Sequence, residues 1–224
     1  MSTLFLIRHG QASLGADDYD RLSPLGREQS ARLGPYFVAR ETVPDRLVVG
    51  PRRRHAETRD EAVGAWPELP QDLLDLLDEH QCPEILEFHR ERLDAAPGAD
   101  LEADATKTFL RRFRHGSLLW ARGELETPPG MEPWAQFRAR IGQALDHLRH
   151  DIRRPDAKVA LFTSGGVVAA AVGEVLGLDD EKTLQLSWGI QNASITTLSL
   201  SRAGYGLSRF NELPFRSKRL ETFV

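Results

Sequence analysis

The tripeptide Arg8-His9-Gly10 follows directly on the apolar run at residues 4–7, and its residue types suit one kind of chemistry. Arg8 carries a planar fork of donors that matches two oxygens of a phosphate. His9 offers a ring nitrogen that attacks phosphorus when neutral, and Gly10 lets the backbone pass close to the ring. The same tripeptide also fits a buried, hydrogen-bonded histidine at a strand end. A second basic cluster, Arg52-Arg53-Arg54, lies in GPRRRHAET at residues 50–58 and again follows an apolar run. Solvation accounts for one or two of these arginines. One of them, turned inward, would complete a clamp on a transferring phosphoryl group.

A third segment, LFTSGG at residues 161–166, places a hydroxyl pair and two glycines between apolar runs. The run before it is short and partly β-branched, and the one after it is alanine-rich, so a strand turns into a helix here. Such a turn lies at the carboxyl edge of an α/β sheet, where ligands sit. Its N–H groups could cradle an anion, or the glycines could serve only a tight packing turn.

The elements that must position these residues follow from periodicity. Residues 4–7 read as a buried strand of a parallel sheet. Ser23 caps a helix with Pro24 in its first turn, and Pro35 is expected to kink it. A second strand spans 45–50, and the charged run 52–59 opens the next helix. Between Trp66 and Pro133 the composition shifts to acids and prolines. Amphipathic segments are expected at 72–79, 83–93 and 105–120, forming a helical excursion that could act as a lid. Trp134, Phe137, Ile141, Leu145 and Leu148 make a 3.6-residue stripe that leads into a strand at 158–162. A helix then ends near Gly177, a final strand spans 193–200, and an irregular basic tail begins at Phe210. The alternation of strand and helix predicts an α/β chain of one domain, residues 1–224, with its sheet covered on both faces.

Three ordered segments, LIRHGQAS, LSPLGREQS and GPRRRHAET, resemble the histidine phosphatase superfamily, also called the phosphoglycerate mutase-like or branch-one histidine acid phosphatases. The resemblance implies a three-layer α/β/α fold with a mostly parallel central sheet. It implies transient phosphorylation of His9, with Arg8 binding the phosphoryl oxygens. A second arginine, in a Ser-Pro-x-x-Arg-x-x-x-Thr pattern, falls on Arg54 with Thr58 as the threonine. Gly50 stands at the serine of that pattern, and Gly15 stands where an asparagine is common. The family's acid or base, a glutamate after Leu-x, falls on Glu79 in Leu77-Asp78-Glu79. Asp78 or a lid residue is the alternative, and Glu79 otherwise solvates a short helix. The family's last element, Ser-His-Gly-Gly, falls on residues 163–166. There Thr163 replaces the serine, Gly165 and Gly166 keep the turn, and Ser164 stands at the histidine. Asn192 opens the run that resembles the family's final strand. The resemblance extends from residue 4 to about 200 and is least specific at 66–133.

These roles imply a phosphomonoesterase acting on a small phosphorylated substrate, with phosphate held by Arg8, Arg54, Ser164 and Gly165. Ser164 in place of a charged donor is expected to slow turnover on the order of a hundredfold, about 3 kcal/mol. His55, next to Arg54, is a conceivable replacement donor, against which stands that adjacent residues at a helix start point in different directions. A phosphoglycerate mutase-type transferase and a catalytically impaired phosphate-ester binding protein are the competing readings. No cofactor and no metal are required by this chemistry. The 224 residues are 41% apolar with a formal net charge of -4 and no long basic run, which does not favour nucleic acid. A single cysteine, Cys82, excludes an intramolecular disulfide and a multi-cysteine metal site. The apolar start is too short for a signal peptide, and no stretch approaches a membrane span, so a cytoplasmic protein is expected. Periodicity does not reveal an oligomeric state.

Overall fold

The computed structural model describes residues 1–13, 18–95, 105–152 and 154–223. Gly15 lies outside them. Elements are numbered in chain order. The central strand β1 (Ser2–Arg8) runs parallel to β4 (Lys158–Thr163), with Arg8 opposite Thr163. Next to β4 lies β2 (Arg46–Val49), also parallel, and then β3 (Gln71–Leu73). On the other flank β5 (Ile195–Ser201) is antiparallel to β1, and β6 (Gly204–Glu212) is antiparallel to β5. The order is β3-β2-β4-β1-β5-β6. Four parallel strands therefore deliver their carboxyl ends to one edge, and the sheet is mostly parallel.

Alternation along β1 sends Leu4 and Leu6 into one apolar layer and Phe5 and Ile7 into the other. The first layer is filled by Phe137, Ile141, Leu145 and Leu148 of α7 (Trp134–Asp151) and by Val167 and Val168 of α8 (Gly165–Leu176). The second holds Leu33 and Phe37 of α2 (Leu33–Ala39) and Ala62 of α3 (Arg53–Val63). The architecture is three-layer α/β/α. Helix α1 (Pro24–Ser30) starts as its sequence indicates, with the Ser23 side chain accepting the N–H of Gly26. The chain breaks before Pro35, at Ala31 and Arg32, because Pro35 has no N–H to give the Ala31 carbonyl.

The excursion differs from its expected form. Residues 72–79 are not an amphipathic helix: they contain most of β3 and a 3-10 turn, Asp75–Leu77. All three residues of β3 are exposed, so no burial pattern marks it. The next segment splits into α4 (Cys82–Phe88) and α5 (Arg90–Asp94), and α6 covers Ala105–Ala121. Leu77, Cys82, Ile85, Leu86, Leu93 and Trp120 join the same apolar layer as α7. Beyond α8 the chain forms α9 (Asp180–Ser187), capped by Asp179. The strand at 195–201 is not the last, since the expected tail begins inside β6. No described helix is long and apolar enough to cross a membrane.

Candidate active site

The carboxyl ends of β1 and β4, with the starts of α3 and α8, surround one group of buried polar side chains. His9 is 5% exposed and its main chain is tied on every side. Its N–H donates to Thr163 at 2.9 Å, and its carbonyl accepts from Ala193 N at 3.1 Å and Asn192 Nδ2 at 3.3 Å. The Nδ1 atom lies 2.7 Å from the Gly10 carbonyl. A carbonyl only accepts, so Nδ1 carries the proton and Nε2 holds the free lone pair. Burial first, and then the charges of Arg54 and Arg8, push the His9 pKa well below its ordinary value, keeping the ring neutral. Gly10 must be glycine, because a Cβ there would collide with the Gly26 carbonyl of α1. Its N–H donates to Thr58 Oγ1 at 3.1 Å, and Thr58 in turn donates to the Arg54 carbonyl at 2.7 Å.

A second line of bonds backs this loop. Asn192 N donates to the Thr222 carbonyl at 2.9 Å, and the Thr222 hydroxyl donates to Asn192 Oδ1 at 2.9 Å. Gln29 Nε2 donates to both Leu220 O and Thr222 Oγ1 at 2.8 Å, while its Oε1 accepts from Gln11 N at 2.8 Å.

The three consecutive arginines separate. Arg52 pairs with Asp78, and Arg53, half exposed, pairs with Asp18 and Glu57. Only Arg54 turns inward, with Nη1 2.9 Å from Asp20 Oδ1 and Nη2 3.5 Å from Ser164 Oγ. Arg8 donates through Nη1 to the Ile190 carbonyl and lies against the first turn of α8 at Gly165. Burial lowers its pKa to about 10 although Glu79 opposes this, so it stays charged at neutral pH. The Nε atoms of both Arg8 and Arg54 are buried without a hydrogen-bond partner. Two buried cations with spare donors and the positive end of a 12-residue helix converge here, an arrangement that an anion would complete.

Glu79 sits at the far side of the same turn. Its Oε2 accepts from Gly166 N and its Oε1 from His80 N, each at 3.0 Å. A side chain at Gly166 would overlap Glu79 and come within 2.6 Å of the His80 ring. Burial by itself would raise the Glu79 pKa. His80, the two N–H groups and Arg54 outweigh it and hold the carboxyl below its ordinary range, as a carboxylate. Asp78, the alternative, is engaged by Arg52 and by the Glu79 N–H. His80 accepts from Cys82 N on Nδ1, so its Nε2–H faces Glu79 Oε1 at 3.6 Å. Its ring stands edge-on between Trp120 and Phe137.

Two histidines also border the site. His80 is one that sequence reasoning did not place there. His55, the conceivable replacement donor, faces the site together with Arg54: it is fully buried, with Nε2 2.7 Å from Ser164 Oγ and its ring centroid 5.9 Å from that of His9. Burial first, and then Arg54, push its pKa down to about 3. On α6, Arg112 pairs with Asp94 and Arg114 lies over Trp188. Among the described residues no group of three or more His, Cys, Asp or Glu side chains is placed to hold a metal ion.

A largely parallel α/β sheet with this polar cluster at its carboxyl edge is the arrangement of an α/β protein that binds its ligand at the strand ends. The profile described as histidine phosphatase superfamily (branch 1) matches residues 88–213, more than half of the chain, and the chain belongs to that superfamily. The fold is shared with solved structures of low identity. A mycobacterial glucosyl-3-phosphoglycerate phosphatase superposes with a TM-score of 0.66 at 23% identity, covering 95% of this chain and 100% of the other. YhfR from Bacillus stearothermophilus gives 0.68 at 17%, covering 95% and 98%. The product of open reading frame Rv3214 from Mycobacterium tuberculosis gives 0.63 at 17%, covering 96% and 99%. No curated protein matches the chain.

Proposed function

We propose that this protein is a phosphomonoesterase that works through a phosphohistidine on His9, with Ser164 at the position the family gives to a histidine. The observation that carries the reading is a neutral His9, its Nε2 lone pair free, set beside two buried arginines that each retain an unpartnered Nε. A phosphoester monoanion is held by Arg8, Arg54 and the first N–H groups of α8. His9 Nε2 attacks phosphorus in line as the bond to the ester oxygen breaks. Glu79 enters the cycle as a carboxylate, so the proton it hands to the leaving oxygen is one it takes from the bound monoanion. In the second step Glu79 accepts a proton from water as the water oxygen attacks phosphorus. His9 departs with its electron pair, neutral again, and Glu79 passes its proton to the phosphate, which leaves as the monoanion and restores the carboxylate.

The substrate in this reading is a small phosphorylated compound, in keeping with the glucosyl-3-phosphoglycerate in the name of the mycobacterial neighbour. The excursion at 66–133 supplies Glu79 and His80 and shapes the leaving-group side. The test is phosphate release from a general phosphomonoester together with trapping of a phosphoprotein whose label is acid-labile and base-stable. His9→Ala is expected to reduce both to background. Turnover that survives His9→Ala would refute the mechanism.

A further inference from the structure

Ser164 occupies the N-cap of α8, yet its hydroxyl caps nothing. A serine there ordinarily accepts an N–H of the first turn. Here the hydroxyl is turned to side chains instead, with His55 Nε2 at 2.7 Å and Arg54 Nη2 at 3.5 Å. Both Ser164 and His55 are fully buried. The His55 ring fits only because residue 50 has no side chain. A Cβ at Gly50 would stand 2.6 Å from His55 Nδ1 and 2.9 Å from the Leu77 carbonyl. The two departures from the family pattern, Gly50 and Ser164, therefore touch opposite ends of one imidazole. The departures belong together: one opens the space, the other receives the bond.

The proton on His55 can be assigned from its surroundings. Nδ1 has only a poorly aligned approach to the Gly50 carbonyl, too distorted for a hydrogen bond, whereas Nε2 lies 2.7 Å from Ser164 Oγ, which can accept. A proton on Nδ1 would be served by that weak contact alone, so the buried N–H is better satisfied on Nε2. With the proton on Nε2, His55 donates to Ser164 Oγ, and the serine's own hydrogen is free to donate elsewhere. We infer that His55 is a positioning residue that orients Ser164 as a hydroxyl donor to the transferring phosphoryl group, and that Gly50 is glycine to admit it. This rests on the phosphatase reading above. The fourth wall of the pocket is then a neutral relay, His55 to Ser164 to phosphoryl oxygen, built from three positions on three elements.

The test compares His55→Leu, His55→Gln, Ser164→Ala and the Ser164→Ala/His55→Leu double variant on p-nitrophenyl phosphate, with folding checked by thermal unfolding. His55→Leu is expected to lower kcat about tenfold to a hundredfold with KM little changed. His55→Gln, whose amide N–H reaches similarly far, should stay within about threefold of the parent. The double variant should be no worse than Ser164→Ala, because both changes break one relay. A parental kcat in His55→Leu, or losses that multiply in the double variant, overturns the assignment. If His55→Leu does not fold, Ser164→Ala must reproduce the loss and adding His55→Gln must cost nothing further. Should the parent protein show no turnover, orthovanadate binding is read instead: binding weakened alike by His55→Leu and by Ser164→Ala supports the relay, and parental binding by either variant overturns it. A parent protein with neither turnover nor vanadate binding overturns the phosphatase reading itself, and the relay with it.

Discussion

The neighbouring strands β1 and β4 end side by side in the site, yet they hold their polar residues by different means. At the end of β1, His9 and Gly10 are fixed by main-chain partners on Thr163 and Ala193, with the side chains of Asn192 and Thr58 in support. At the end of β4, Ser164 is held by the side chains of His55 and Arg54. Main-chain bonds depend little on which side chains surround them, so they keep His9 in place through sequence change. A side-chain clasp can be rebuilt from different residues.

Alanine at the two strand-end glycines should separate the two modes most sharply. Gly10→Ala drives a methyl group into the backbone of α1, which cannot yield locally, and about 3 kcal/mol of stability should be lost in urea unfolding. A Gly10→Ala protein as stable as the parent would break the comparison.

Acid should act on both ends together. His9 and His55 are neutral in the fold with pKa values below that of the unfolded chain, so the unfolded state binds more protons as pH falls. Their contribution is complete above about pH 6.5 and declines below it, toward about 3 for His55, by about 1.4 kcal/mol per pH unit for each ring. At pH 5.5 a His55→Gln protein should therefore be spared about 1.4 kcal/mol of the acid loss seen in the parent, measured by urea unfolding at pH 7.5 and 5.5. Equal acid loss in the two proteins would mean that His55 does not enter the fold neutral.

The smallest effect is expected at Gly165. A Cβ there meets the Arg8 side chain no closer than 3.4 Å, so Gly165→Ala should change stability by no more than about 0.5 kcal/mol. A loss comparable to that of Gly10→Ala would show that the start of α8 is as rigidly fitted as the loop at His9 and Gly10.

The same contrast governs what could be read from the chain. The α7 stripe is plain because Trp134, Phe137, Ile141, Leu145 and Leu148 all face one apolar layer. Arg8 and His9 are plain because a buried strand leads straight to them. The strand β3 is silent because its three residues are exposed, and β6 because its side chains are half-buried or exposed without alternation. His55 is hidden for a subtler reason. Its direction is decided by a side chain that Gly50 lacks and by a hydroxyl 109 positions later, and neither leaves a mark on local periodicity.

The line of bonds from His9 through Asn192 to Thr222 joins positions made at opposite times. During synthesis His9 precedes Asn192 by 183 positions, so its carbonyl must wait for that side-chain partner. Gln29 waits 193 positions for the Thr222 hydroxyl. Local helices such as α7 can form while the chain is still growing, whereas the backing of the His9 loop closes only after Thr222 is translated. The local helices of a nascent chain thus take shape before the frame around His9 can.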